Sequence, residues 1–320
     1  MRALVLAGLV FGSFMAAAFT DAHAALRVFV TNEKSNDVTV IDAASGNVVK
    51  TIPVGKRPRG VAGSPDGKHV YLSNSNSNTL SVIDAATLAV LKTAPAGEDP
   101  EGLTPSQDGR HLFVVNENDQ SLTVIDVASL KIVKKIPVGV EPETAVLSPD
   151  GRWVVVSNET SNDIYVIDAA RVVVIKKIPV PKNPRGMRFS PDTRRLYVAS
   201  EAANQVSIVE TATWTLVKSA ETGGVRPVDI RVTADGARLY VSHGGSAEVR
   251  VLDAETLTTI AAIPVGPRAW WTAVTPDGNF LYVTVGRDNE VAVIDMRSNT
   301  VVRRIKAGTL PWGITIVDAP

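Results

Sequence analysis

The chain has 320 residues, of which 45% are hydrophobic and 21% are charged. This composition is typical of a folded globular protein and excludes an intrinsically disordered one. Because 33 basic residues balance 33 acidic residues, net charge gives no general attraction to nucleic acid or to an anionic membrane, so any charge-driven binding has to be local. The absence of cysteine excludes disulfides, thiolate metal sites, a cysteine nucleophile and lipid attachment through cysteine.

Residues 1–24 predict a secretory signal peptide. Arg2 precedes an apolar run over residues 3–19, and an Ala-His-Ala sequence ending at Ala24 fits the small-x-small pattern of a cleavage site. An uncleaved membrane anchor is the alternative, although an apolar run of this length is marginal for a span. We therefore expect cleavage after Ala24 and a mature, monomeric periplasmic domain over residues 25–320, with no membrane span.

The remaining chain is a repeat with a period of 42 residues. In each unit a hydrophobic strand ends in an acidic residue, namely Asp42, Asp84, Asp126, Asp168, Glu210, Asp253 and Asp295. A second series places a turn aspartate at Asp66, Asp108, Asp150, Asp192, Asp235 and Asp277, and a third places proline at Pro58, Pro100, Pro142, Pro184, Pro227 and Pro311. Ala269 replaces the proline in one unit, and one extra residue lies between Glu210 and Pro227.

Each unit predicts four short strands. In the unit that begins at Pro100, alternating apolar residues and turn sequences predict strands over 102–106, 111–116, 122–126 and 131–138. Sustained helical periodicity is absent from the repeats. Seven such units predict an all-β fold, a seven-bladed β-propeller of four-stranded antiparallel blades, with an open solenoid as the alternative.

The two ends of the repeat region predict how the ring closes. Residues 27–54 supply only the second, third and fourth strands of a blade, and residues 312–317 supply a lone first strand. Pairing them would remove two exposed sheet edges, which an open solenoid would leave unpaired. We therefore expect the C-terminal strand to complete the N-terminal blade.

The second strands carry a recurring sequence, as in Phe29-Val30-Thr31-Asn32 and Tyr71-Leu72-Ser73-Asn74. Together with the VID strands and the IPVG segments, this pattern resembles the YVTN family of β-propeller repeat proteins. The length, the signal peptide and the seven units also resemble a narrower group associated with PQQ-dependent alcohol catabolism. That resemblance implies a non-enzymatic periplasmic protein beside a quinoprotein dehydrogenase or a c-type cytochrome, with PQQ or haem as candidate ligands. The residues themselves require no cofactor and predict no nucleic-acid partner.

Residues beside the repeat proline are expected to ring one mouth of the propeller. The candidate ligand-binding residues are Arg57, Arg59, Glu101, Glu143, Arg185, Arg226, Asp229, His243, Arg268, Trp270, Trp271 and Trp312. Carboxylates come from the second and third units in proline order, and arginine and tryptophan dominate the others. Glu33, Glu117, Glu159 and Glu201 follow second strands and are expected to add acceptors to the same rim.

Two interpretations of this ring stay open. Arginines pair with carboxylates in bidentate geometry and tryptophans offer stacking faces, so the ring could form a pocket for a planar anion. Alternatively, the charges form ion pairs on a solvated rim, and Trp270 and Trp271 plug the axis. His243 stands where four repeats have asparagine, and it is either a satisfied rim histidine or a metal or haem ligand.

No sequence pattern predicts a catalytic or metal site. One candidate histidine without cysteine falls short of a zinc site, and no nucleophile elbow or P-loop occurs in a fitting context. We therefore expect a non-enzymatic binding or scaffold propeller. The alternatives are a tetrapyrrole carrier or enzyme that uses His243, assisted by Glu101 or Glu143, and an adhesion propeller that binds protein on its flat faces.

Overall fold

The computed structural model describes residues 25–319, and the predicted signal peptide lies outside these described residues. The described chain contains 28 strands, numbered β1 to β28 in chain order, and one short 3₁₀ helix at Ser75–Ser77. No helix within residues 25–319 is long and apolar enough to cross a membrane. The propeller prediction is confirmed, since the strands form seven four-stranded antiparallel sheets.

Six blades, numbered in chain order, each use four consecutive strands. Blade 1 contains β4 Pro58–Gly63, β5 His69–Asn74, β6 Thr79–Asp84 and β7 Val90–Pro95; blade 2 contains β8 Pro100–Pro105, β9 His111–Asn116, β10 Ser121–Asp126 and β11 Lys131–Pro137. Blade 3 contains β12 Pro142–Leu147, β13 Trp153–Asn158, β14 Asp163–Asp168 and β15 Val173–Pro179; blade 4 contains β16 Pro184–Phe189, β17 Arg195–Ser200, β18 Gln205–Glu210 and β19 Thr215–Glu221. Blade 5 contains β20 Pro227–Val232, β21 Arg238–His243, β22 Glu248–Asp253 and β23 Thr259–Pro264; blade 6 contains β24 Ala269–Val274, β25 Phe280–Val285, β26 Glu290–Asp295 and β27 Thr300–Lys306.

Blade 7 joins the two ends of the described chain. It contains β28 Pro311–Ala319, β1 Ala25–Asn32, β2 Asp37–Asp42 and β3 Val48–Pro53, hydrogen-bonded in that order. Strands β28 and β1 pair antiparallel, with Val28 opposite Ile316 and Val30 opposite Ile314. The predicted closure is therefore confirmed, and it leaves blade 7 with the same four-stranded topology as its neighbours.

The core consists of layers between adjacent blades. The first three strands of each blade are largely buried, whereas the fourth strand is exposed along most of its length, as in β3 and β7. Buried aliphatic side chains of blades 3 and 4, for example, form one continuous cluster. The innermost strands contact one another around the axis. The apolar content that the composition requires thus lies between blades and leaves the two ends of the ring open to polar residues.

Hydroxyl groups at the penultimate position of the second strand link neighbouring blades. Thr31 donates to the Arg59 carbonyl at 2.7 Å, and Ser73 donates to the Glu101 carbonyl at 2.6 Å. The same bond recurs from Ser157, Ser242 and Thr284 to the next blade. These bonds fix the start of five of the seven inner strands, which is where the candidate residues lie.

The aspartate turns lie at the opposite end of the blades. The Asp126 carboxylate accepts a hydrogen bond from the Ser129 amide at 2.8 Å, and Asp84 accepts bonds from the amides of Ala86 and Thr87 at 3.0 and 2.7 Å. Such bonds satisfy turn amides that have no strand partner. The predicted turn aspartates Asp66 and Asp108 form bonds of the same kind, since they accept from the amides of Lys68 and Arg110, each at 3.1 Å.

Candidate functional site

The mouth is built on an unusual backbone position. The residue before each inner-strand proline position has positive φ, between 53° and 61°, in Arg57, Asp99, Glu141, Asn183, Arg226, Arg268 and Leu310. Non-glycine residues rarely adopt this region, and it costs of the order of 1 kcal/mol. In five blades an asparagine Oδ1 from the preceding turn accepts a hydrogen bond from the backbone amide of that residue, as Asn36 does from Arg57 at 2.8 Å. The repeat thus places charged side chains at the rim on a fixed backbone.

One ion-pair network connects blades 6, 7, 1 and 2. Glu33 lies 3.5 Å from Arg59 and 3.1 Å from Arg268, and Glu101 lies 3.1 Å from Arg59. Glu101 is completely buried, and its carboxylate also accepts a hydrogen bond from the Ser75 hydroxyl at 3.1 Å. Burial opposes ionisation of Glu33, but the guanidinium groups of Arg59 and Arg268 outweigh it and hold its pKa below the usual value.

A second network centres on Arg185 of blade 4. Its guanidinium lies 2.6 Å from Glu143 and 2.9 Å from Glu159, and it also pairs with Glu201. Glu201 in turn pairs with Arg226 of blade 5. Burial, followed by the neighbouring Glu143 carboxylate, raises the pKa of Glu159 to about 9, so the Glu159 carboxyl group holds a proton at neutral pH.

The acidic side of the mouth contains a trio of carboxylates. One oxygen from each of Asp99, Glu101 and Glu117 lies within 4.8 Å of the others. Oxygen ligands of this kind suit a hard divalent cation. However, the Arg57 guanidinium already lies 3.1 Å from Asp99 and 3.5 Å from Glu101, so a metal ion would have to compete with a resident cation. The trio is therefore already partly neutralised by the protein.

The opposite side of the mouth holds an arginine-rich pocket of about 210 Å³. It is lined by Arg59, Arg185, Arg226, Gly244, Arg268, Trp270 and Arg287. The guanidinium carbons of Arg268, Arg185 and Arg226 lie 4.9, 5.3 and 5.8 Å from the centroid of the Trp270 ring. These distances are in the range of cation–π contacts, so the indole face helps to hold three like charges together.

Two glycines make room for this pocket. Gly244 and Gly286 follow second strands at the position where four other blades carry glutamate, as at Glu33, and one carries Ser75. A Cβ atom at Gly244 would meet the Trp270 ring at 2.5 Å, and one at Gly286 would meet the Arg268 side chain at 2.8 Å. The absence of a side chain thus removes two rim carboxylates and admits Trp270 and Arg268.

Tryptophans close the axis below the mouth. Trp270 and Trp312 form a buried cluster with Val228, and Trp271 packs against it with its ring centroid 5.0 Å from that of Trp312. The indole nitrogens of all three tryptophans are buried and have no hydrogen-bond partner within residues 25–319. The cluster therefore separates the mouth from the lower part of the axis and leaves three buried donors unpaired at this level.

His243 lies outside the mouth pocket. It is completely buried, its Nδ1 lies 2.9 Å from the Val241 carbonyl, and its Nε2 lies 2.7 Å from the Thr222 hydroxyl. Since a carbonyl only accepts, Nδ1 carries the proton and Nε2 accepts from Thr222. Burial lowers the pKa of His243 to about 4, which keeps the ring neutral.

The extra residue of the repeat lies beside His243. The unit that begins at Pro184 has 43 residues, and the additional one falls in the loop between the end of β19 at Glu221 and the start of β20 at Pro227. A Cβ atom at Gly224 would meet the His243 ring at 2.5 Å, so glycine is needed where the loop passes the imidazole. The longer loop accommodates a histidine where other blades have the smaller asparagine.

Asp229 also lies below the rim, and it is completely buried. Its Oδ2 accepts hydrogen bonds from the Thr272 amide and hydroxyl at 3.0 and 2.7 Å and lies 3.2 Å from Arg231. Burial raises the pKa of Asp229 to about 6, although the nearby Arg188 charge opposes the shift. Asp229 thus links the inner strands β20 and β24 and does not line the arginine pocket.

The structure therefore divides the predicted site residues between three places. At the mouth lie Arg57, Arg59, Glu101, Glu143, Arg185, Arg226, Arg268 and Trp270. The axial plug contains Trp271 and Trp312, while Asp229 and His243 are buried within blades. Sequence reasoning missed Arg287 and the two glycines. The available signal was that Gly244 and Gly286 stand where four other repeats have glutamate.

Two family models match the chain. One, described as a YNCE-like beta-propeller, matches residues 62–151. The other, described as a seven-bladed beta-propeller lactonase, matches residues 127–222 and 175–306, which together span more than half of the sequence. No curated protein sequence matches the chain.

Solved structures share the fold at low identity. A protein of unknown function from Desulfotomaculum acetoxidans is 18% identical with a TM-score of 0.81, covering 91% of this chain and 98% of its own. The hydrazine synthase of Kuenenia stuttgartiensis is 24% identical with a TM-score of 0.78, covering 90% and 99%. The dihydro-haem d1 dehydrogenase NirN is 21% identical with a TM-score of 0.67, covering 88% of this chain and 63% of its own. At these identities the likeness establishes the fold alone.

Proposed function

We propose that this chain, which belongs to the seven-bladed β-propeller family, binds a small planar organic anion in the arginine pocket of its mouth. One observation carries the proposal: five arginines and the indole of Trp270 line a pocket of about 210 Å³ in which no lining side chain is acidic. A ligand with one or more carboxylates would receive bidentate hydrogen bonds from the guanidinium groups.

The charges around the pocket are unevenly compensated. Arg59 and Arg185 are held by several carboxylates, whereas Arg226 pairs, among residues 25–319, only with Glu201 and keeps half of its side chain exposed. Arg268 pairs with Glu33, which also serves Arg59. The pocket side of the mouth is consequently the side with cationic donors to spare, which favours an anion over a cation.

The tryptophan adds selectivity for a flat ligand. The Trp270 ring forms one wall of the pocket, and its indole nitrogen is buried without a partner. An aromatic wall beside arginines stabilises planar ligands through stacking. A conjugated carboxylate therefore matches the pocket better than a bulky aliphatic one.

The sequence resemblance gives this proposal a setting. We infer a secreted periplasmic binding protein without catalytic activity, accessory to a PQQ-dependent alcohol oxidation system. PQQ is a planar quinone with several carboxylates, so it is the first specific ligand to test at the Arg226 and Arg268 side of the mouth. A quinoprotein dehydrogenase or a c-type cytochrome is the corresponding partner.

The alternative use of His243 has less support. Haem ligation or base catalysis needs a free ring nitrogen, but both nitrogens of His243 form hydrogen bonds inside the blade. The ring is also completely buried. We therefore base the proposed function on the arginines.

Calorimetry with PQQ and with benzene-1,3,5-tricarboxylate would test the proposal. Arg226→Gln and Arg268→Gln are each expected to weaken binding about tenfold or more, since each removes a charged hydrogen-bond donor. Arg194→Gln is the matched control, because this arginine lies on the turn face with 85% of its side chain exposed.

The outcomes separate the ligand class from the setting. Binding of the tricarboxylate without PQQ would retain anion binding and remove the quinone assignment. Failure of both ligands to bind, or equal binding by wild type and both mouth variants, would refute the proposed function.

A further inference from the structure

A second cavity lies on the axis, below the tryptophan plug. Its volume is about 480 Å³, and Trp271 and Trp312 bound it on the side of the mouth. Its wall combines backbone and hydroxyl groups with aliphatic side chains, among them Leu103, Val146 and Ile314. This volume is within the range of small-molecule binding sites, which are typically apolar with a few polar groups.

Two arginines from adjacent blades interrupt the apolar wall. Arg188 and Arg231 occupy the fourth position after the inner-strand proline, and both line the cavity. The other five blades have small or uncharged residues at this position, namely Ala62, Thr104, Val146, Ala273 and Thr315. Because repeats copy residues by default, two neighbouring cations here are a departure specific to this part of the axis.

The two arginines differ in their partners. Arg231 lies 3.2 Å from the Asp229 carboxylate and donates from Nε to the Thr272 carbonyl at 2.9 Å. Arg188 has a buried Nε without a hydrogen-bond partner and forms no ion pair with any residue in 25–319. Burial accordingly lowers the pKa of Arg188. The wall thus holds two guanidinium groups against one carboxylate, because Asp229, whose charge also acts on Arg188, lies within ion-pair distance of Arg231 but not of Arg188.

A partly buried guanidinium without a contact ion pair is stabilised when an anionic ligand neutralises it. The roof provides further donors, since the indole nitrogens of Trp271 and Trp312 are also buried and unpartnered. Donors at one level and an aliphatic wall around them match a molecule with an anionic head and an apolar body.

We propose that the axial cavity binds a small monocarboxylate with an apolar body, with its carboxylate on Arg188. The site is distinct from the arginine pocket, because the tryptophan plug lies between them and they share no lining residue. The aliphatic body packs against residues such as Leu103 and Ile314.

Calorimetry with octanoate tests this proposal. We expect octanoate to bind the wild-type protein and Arg188→Met to weaken that binding about 10- to 100-fold, as the loss of a charged hydrogen bond does. Octan-1-ol, which lacks the charge, should not distinguish the two proteins. Arg194→Met, in the same blade but on the turn face, is the matched control and should bind octanoate like wild type.

Thermal unfolding separates a binding role from a structural one. Methionine fills a similar volume without charge, so Arg188→Met should melt at the same or a higher temperature than ligand-free wild type. Octanoate should raise the melting temperature of wild type far more than that of the variant. A ligand-free variant that melts clearly below wild type would make Arg188 a structural residue and overturn the proposal.

The mouth variants keep the two sites distinguishable. Arg226→Gln should leave octanoate binding unchanged, whatever its effect on planar tricarboxylates. Octanoate binding that is lost in Arg226→Gln and retained in Arg188→Met would overturn the axial site. Equal affinity for octanoate and for chloride would also overturn it, since the apolar wall would then contribute nothing.

Discussion

The two ends of the same blades follow different rules. At the turn end, each repeat forms nearly the same set of hydrogen bonds, as Asp84 and Asp126 illustrate. At the mouth end, equivalent positions hold Arg59, Glu101 and Trp270, and their side chains interact with other blades. Both ends are built on the same strands, so the fold itself does not require the variation at the mouth.

The difference also appears in burial and energy. Turn-end ion pairs such as Arg194–Asp192 are exposed and 3.8 Å long, and such pairs contribute about 0 to 1 kcal/mol. Mouth pairs such as Arg185–Glu143 are mostly buried and short, at 2.6 Å. Buried charge is thus concentrated at the mouth end of the blades, whereas the ion pairs at the turn end are exposed.

The largest expected effect comes from breaking the ring itself. Deleting residues 310–320 removes β28 and exposes the edge of β1, including the contacts of Ile314 and Val317. Burying each of these side chains contributes about 1.5 to 3 kcal/mol, a large share of a typical domain stability of about 5 to 15 kcal/mol. We expect loss of the cooperative transition in thermal unfolding followed by circular dichroism.

A shorter truncation provides the control for ring closure. Removing only residues 319–320 keeps Ile314 and Val317 in β28, so a cooperative transition should remain. If the protein without residues 310–320 melts like wild type, closure by β28 does not stabilise the fold.

The next largest effect distinguishes the two ends within one blade. Arg185→Met leaves the Glu143 carboxylate buried without its cation and leaves Glu201 paired with Arg226 alone, and breaking a buried pair in this way costs about 3 to 5 kcal/mol. Arg194→Met removes an exposed turn-end arginine and should change the unfolding free energy by no more than about 0.5 kcal/mol. Urea unfolding at neutral pH measures the unfolding free energy of both variants. An Arg185→Met protein that loses no more stability than Arg194→Met would show that the mouth network contributes no more than an exposed pair.

The repeat made the fold predictable from the sequence. A period seen seven times fixes strand positions by averaging, and in the unit that begins at Pro100 the predicted strands differ from the observed ones by at most two residues. Ring closure was also predictable, because one end lacked a strand that the other end supplied. Local turn chemistry at residues such as Asp126 completed the assignment.

The site was less predictable, because its contacts join residues that are far apart in sequence. Arg268 reaches Glu33 across the ring closure, 235 residues away, and no periodicity encodes that pair. The position of Arg188 at the axis follows only from the folded ring, in which all seven inner strands line one cavity. His243 departs from the repeat as strongly as Trp270 does, but its surroundings show that an inserted loop residue accompanies it.

The smallest expected effect concerns His243 and depends on pH. The native pKa is about 4 and the usual value is 6.5, so the unfolded chain takes up a proton first as the pH falls. The contribution of His243 to stability is therefore complete above pH 6.5 and is lost between about pH 6.5 and pH 4. A shift of this size corresponds to at most about 3 kcal/mol.

The variant His243→Asn restores the residue of four other blades and removes this titration. At pH 7 it should be less stable than wild type, because the Thr222 hydroxyl loses its partner, but the difference should shrink toward pH 4 in urea unfolding series. Asp229, whose pKa is raised to about 6, loses its stabilising contribution as the pH rises, and this opposite trend occurs in both proteins and cancels. A constant difference between pH 4 and pH 7 would show that His243 is not held neutral by burial. His243, which replaces the asparagine of four other blades, would then again be a candidate functional residue.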